Sequence, residues 1–115
     1  MRDNTGVNKI FLLGRIETEP QLHTIENAVS EYVFTLVTRE VHDKRGGQIA
    51  HLEYHNVRVP ANLLPHNTQL CRDSTVHLEG KIHTKGWIDE QGVKRYSTEI
   101  IAIQFNVLDI GIVPR

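Results

Sequence analysis

Between Ser74 and Thr84 the chain alternates with a period of two: Val76, Leu78, Gly80 and Ile82 on one side, His77, Glu79, Lys81 and His83 on the other. A helix brings every third or fourth side chain to one face, whereas a strand brings every second. The segment is therefore expected to be a strand, with the first set turned inward and the second toward water. Whatever fold the chain adopts must supply this strand with neighbours on both edges.

The neighbours are present in the sequence. Residues 7–16 are rich in β-formers, with Ile10, Leu12 and Ile16 on one face, Phe11 and Leu13 on the other, and Gly14 at an expected bulge or bend. Residues 32–38 carry β-branched and aromatic side chains on both parities, the mark of a strand covered on both sides. Lys44-Arg45-Gly46-Gly47-Gln48 reads as a hairpin loop, residues 51–59 as the returning strand ended by Pro60, and residues 96–108 as a last long strand. Residues 61–71 form the one plausible helix, which Pro65 confines to a short piece. Five long strands and one short helical connection predict an all-β domain closed into a small barrel with extended hairpins, because closure leaves no sticky edges.

At 115 residues the chain is expected to form one such domain, with its core spanning about residues 6–110 and loose termini. It has no apolar run near the roughly 20 residues that cross a bilayer, and no basic segment followed by an apolar one that would predict a secretory signal. Cys71 has no partner for an internal disulfide, which favours a reducing compartment and a role as a small buried hydrophobe. A cytoplasmic location is expected.

Catalysis finds little support. Asp73, Ser74 and His77 are adjacent in sequence, but a nucleophile and its base need convergent geometry. Neither a glycine-rich phosphate loop before a helix nor an acidic cluster at helical spacing is present. His51 and His55 share a strand face yet would lie roughly 13 Å apart, too far to hold one metal. No enzyme activity, metal or cofactor is expected.

Trp87 is the only tryptophan, in the run Trp87-Ile88-Asp89-Glu90-Gln91-Gly92-Val93-Lys94-Arg95-Tyr96, which reads as a hairpin tip turning at Gly92. Two readings stand: the indole stacks on an unpaired base beside Lys85, Lys94 and Arg95, or it folds down onto the barrel. The formal net charge of −1 announces no basic nucleic-acid binder, but it leaves room for a one-sided basic groove.

Four stretches, in order, resemble the bacterial-type single-stranded DNA-binding protein family, whose domain is an oligonucleotide-binding (OB) fold. They are residues 6–16 followed by Pro20, Glu53-Tyr54-His55-Asn56-Val57, residues 74–82 with Glu79-Gly80, and Trp87-Ile88-Asp89 with Gly92, Arg95, Thr98, Glu99 and Ile100. The resemblance implies sequence-independent single-stranded DNA binding and protection in replication, recombination or repair. By that carry-over Trp87 and Tyr54 stack on bases, Arg39, Lys44, Arg45, Lys81, Lys85 and Lys94 hold phosphates, and His55 lies at a contact between subunits of a homotetramer or dimer. Replication or repair proteins are further partners. The chain departs from the family pattern at Val41 and His42, where a tryptophan is usual, at Pro60, where a phenylalanine is usual, and at Tyr54, where tryptophan is commoner. Missing platforms imply weaker binding. The acidic tail of the family is not seen after Ile112-Val113-Pro114-Arg115, as expected of a short member or a trimmed chain. Two rival readings share the barrel: a dimeric primosomal-type replication accessory protein, and a protein-interaction module that has lost DNA binding.

Overall fold

A computed structural model describes residues 5–24, 30–65 and 68–109; the expected loose termini, residues 1–4 and 110–115, and Glu26 lie outside them. The described chain is almost all strand: β1 (Ile10–Ile16), β2 (Gln21–His23), β3 (Glu31–Lys44), β4 (Gly47–Pro60), β5 (Thr75–Ile88) and β6 (Lys94–Asp109). The sheet runs β1-β5-β6-β4-β3-β2 and closes where β1 also pairs with β3, so five strands form a barrel and β2 is an added edge. This is the OB-type barrel the sequence predicts. Most ladders are antiparallel; β4 and β6 run parallel, with Val57 opposite Ile100 and Arg58 opposite Ile101.

The period-two pattern explains the core. Leu12, Ile16, Phe34, Leu36, Val57, Val59, Val76, Leu78, Ile100, Ala102 and Phe105 turn inward from five strands. Phe34 and Phe105 meet across the interior with ring centroids 6.1 Å apart, tilted by 59°. Phe11 and Leu13, on the other parity of β1, are exposed.

Several local expectations change. Gly14 is no bulge: it pairs regularly with Val76, and a Cβ there would lie 2.4 Å from the Val37 carbonyl oxygen, so glycine admits the close approach that closes the barrel. The irregularities fall instead in the β5–β6 ladder, at Thr75/Val76 and Glu79/Gly80. The expected helix is a single 3₁₀ turn, Ala61–Leu63, followed by extended backbone at Leu64 before Pro65. Ile82 keeps the inward parity, opposite core Ile100, but at this end of the barrel it is 45% exposed. Both long hairpins extend further than expected, and the β3–β4 turn tightens to Arg45 and Gly46, with Gly46 at φ 95°.

Candidate nucleic-acid interface

Three strands build one outer surface. On β5 the outward parity continues past the core as Lys81, His83, Lys85 and Trp87. Across the ladder Trp87 faces Arg95, Lys85 faces Ser97 and His83 faces Glu99. On β4, Val57 and Val59 are buried, so Leu52, Tyr54, Asn56 and Arg58 turn outward. Asn56, Lys85, Trp87, Ser97 and Glu99 together line an open groove of about 510 Å³.

Trp87 is 42% exposed: it lines the groove wall and still presents indole surface to solvent. Tyr54 is 57% exposed, one strand turn from Asn56 on the same face. The structure thus brings the two aromatics of the sequence reading onto one surface through a residue that reading assigned no role. Arg39 lies on this face too, opposite Leu52, beside a second depression lined by Leu13, Arg15 and Val37. Val41 and Pro60, where stacking platforms are missing, share the outward parity of Arg39 and of Tyr54 respectively.

The cations sort by what already holds them. Arg95 donates to Asp89 at 2.7 Å and Arg15 pairs with Asp73 at 2.9 Å, while Lys9 pairs with Glu79 at 3.2 Å. Arg39, Lys44, Arg45, Lys81 and Lys85 make no ion pair among the described residues. Lys85 lies in the groove and Lys81 on the same parity; Lys44 and Arg45 lie at the β3–β4 tip. Lys94 is placed apart from Trp87: it pairs with Ile88 on the opposite face, its Nζ 5.7 Å from the Tyr96 ring centroid.

Arg58 holds one lining residue of the groove, Glu99, in place. Its Nη1 donates to both Glu99 oxygens at 2.9 and 3.0 Å, and its Nε donates to Glu31 Oε1 at 2.8 Å, with a further Nη2 bond to the same oxygen. These bonds, Glu31 first and Glu99 second, hold the guanidinium more firmly protonated than usual. Glu99 is only 7% exposed, and His83 Nδ1 lies 3.6 Å from it. The cluster joins β3, β4 and β6. In the sequence Glu99 stands out only as part of the late motif, and Arg58, Asn56 and Ser97 carry no functional signal.

At the tip, Asp89 organises the turn. Its Oδ1 accepts from the Gln91 and Val93 amides at 2.9 Å each, Oδ2 accepts from Arg95, and Gly92 takes φ 79°. The Arg95 bond, then the Val93 amide, hold the Asp89 carboxyl below the ordinary carboxylate range.

His55 lies on the inward parity, its Nε2 3.0 Å from Thr38 Oγ1 where the β3–β4 hairpin leaves the barrel. Ser74 is fully buried, 3.4 Å from Cys71 Sγ, and Asp73 is engaged by Arg15, so neither is presented as a catalytic group. Cys71 itself is half-buried. Among the described residues no three His, Cys, Asp or Glu side chains converge as metal ligands would, and no helix is long and apolar enough to cross a membrane.

The sequence model of the single-strand binding protein family matches residues 7–108, which includes every strand bar the last residue of β6. The chain belongs to the single-strand binding protein family. Its fold is similar to that of a Plasmodium falciparum SSB solved in complex with single-stranded DNA, at 24% identity and a TM-score of 0.78 over 94% of this chain and 100% of that one. A single-stranded DNA binding protein from Thermus aquaticus matches at 19% identity and 0.73 over 90% of this chain and 51% of that one. A small single-stranded DNA-binding protein from Streptomyces coelicolor matches at 18% and 0.65, over 86% and 92%. The family consists of DNA-binding proteins rather than enzymes.

Proposed function

We propose that this domain carries out the single-stranded DNA binding of its family on the outer face of β4 and the β5–β6 hairpin, without sequence preference. Bases stack on Trp87 and Tyr54, and phosphates meet Lys81, Lys85 and Arg39, with Lys44 and Arg45 extending the cationic rim. Stacking tolerates any base because every base has a π face. The observation that carries this reading is the groove in which Trp87, Lys85 and Asn56 converge, one strand turn from Tyr54. A homotetramer with His55 near a subunit contact accompanies it; the exposed Phe11 and Leu13 on β1 support association between copies. Protection of single strands during replication, recombination or repair is the cellular role, with replication or repair proteins as further partners and the nucleoid as its place.

Trp87 is the sole indole, so its fluorescence tests the site directly. Titration with a thymidine homopolymer should give saturable quenching that weakens steeply with salt, because each phosphate contact releases a counterion. A flat signal together with no retention in a direct binding assay at low salt would dismiss the reading. Light scattering should return four chains per particle; two would favour the primosomal-type arrangement.

A further inference from the structure

The β5–β6 hairpin carries an aromatic on each face. Adjacent rungs place Trp87 opposite Arg95 and Gly86 opposite Tyr96, so the indole and the phenol project from opposite sides of the same two-stranded blade. Tyr96 is 63% exposed, more than Trp87. A Cβ on Gly86 would stand 3.4 Å from the Tyr96 ring, so the ring passes alongside bare backbone at that rung. Lys94, two residues away on the same parity, holds its ammonium 5.7 Å from the ring centroid. Exposed Ile88 and Ile82 continue this face, and no acidic side chain belongs to its parity between Ile82 and Ile88 or between Lys94 and Ile100.

We propose that Tyr96 and Lys94 form a second single-strand subsite: a base stacks on the Tyr96 ring while Lys94 swings to the adjoining phosphate, the strand having passed over the hairpin from the Trp87 face. The inference rests on the reading of the Trp87 groove. The Tyr96 ring stands one rung from Trp87 across a two-stranded blade, and the chemistry matches, an exposed ring beside a cation; both favour the same nucleic acid over a protein partner. Moving Lys94 costs little, because an exposed cation–ring contact is weak. The hairpin then acts as a two-sided wedge, with the Asp89–Arg95 pair at its tip neutralised internally.

The test compares thymidine oligomers of roughly 4 and roughly 16 nucleotides, the range of site sizes per barrel of this kind. Trp87 fluorescence reports on both. Tyr96→Ala is expected to leave affinity for the short oligomer unchanged and to lower affinity for the long one about tenfold, the lower part of the range for a lost stacking partner. Tyr96→Phe should behave as the unmutated protein. Affinities unchanged from the unmutated protein at both lengths for Tyr96→Ala would overturn the proposal, and so would an equal loss at both, which would mean that Tyr96 only props the hairpin. Absent quenching in the unmutated protein, together with no retention in a direct binding assay at low salt, would instead remove the Trp87 reading, and this one with it.

Discussion

At Gly80 a methyl group would come within 2.5 Å of the Ile101 carbonyl oxygen, and at Gly14 within 2.4 Å of that of Val37. Both contacts are with backbone, which cannot swing aside as a side-chain tip can. Gly80→Ala is accordingly expected to lower stability by about 1–3 kcal/mol, the usual cost of overpacking, with Gly14→Ala similar; urea melts followed by Trp87 emission would measure both. Trp87→Ala should leave stability nearly unchanged, because the residue lies on the hairpin outside the core, yet cost about 1–3 kcal/mol in single-strand affinity. Binding must then be followed by anisotropy of labelled DNA. Trp87 draws notice in the sequence as a lone tryptophan beside a turn and cations, whereas Tyr54 is singled out only through the family resemblance. Asn56 and Ser97 were not legible as groove residues. Small polar residues on strands look alike wherever they fall, and only the β4–β6 and β5–β6 pairings reveal which of them reach the groove.

The strands themselves were legible where one face is dry. Val76, Leu78, Gly80 and Ile82 all follow the inward parity, but parity does not tell how deeply each is covered: Ile82, opposite core Ile100, stays 45% exposed. Strands β3 and β4 run on through Lys44 and from Gly47 with both faces wet, which leaves no hydrophobic period to read. The three-residue β2 is polar at two of its positions and left no signal. At the other hairpin, the order of the tip depends on one carboxylate. Asp89 has a folded pKa below its unfolded one, so it adds stability at every pH above the unfolded value. That increment fades as pH falls through the lowered folded value. Amide exchange at Gln91 and Val93 should therefore quicken, relative to its ordinary acid dependence, only in strongly acidic solution, and Asp89→Ala should bring that behaviour to neutral pH.

Across the whole barrel, Arg58 ties three strands together through two carboxylates that lack comparable partners elsewhere. Arg58→Ala would leave Glu31 and Glu99 facing each other with little water, at a cost of about 3 kcal/mol, the lower end for breaking a buried pair because Arg58 is itself partly exposed. Thermal unfolding would show it. Salt dependence reports the other global property: removing Lys85 should flatten the slope of log K against log salt by about 0.7, the value for one single-strand phosphate contact. The same Arg58 cluster bears on orientation. One cation between two carboxylates leaves the cluster net negative, and its Glu99 end lines the groove beside Lys85. A strand bound there as proposed would be repelled where a phosphate approached Glu99 and attracted where one approached Lys85. The mixed lining would then favour an uncharged base over a phosphate on the Glu99 side.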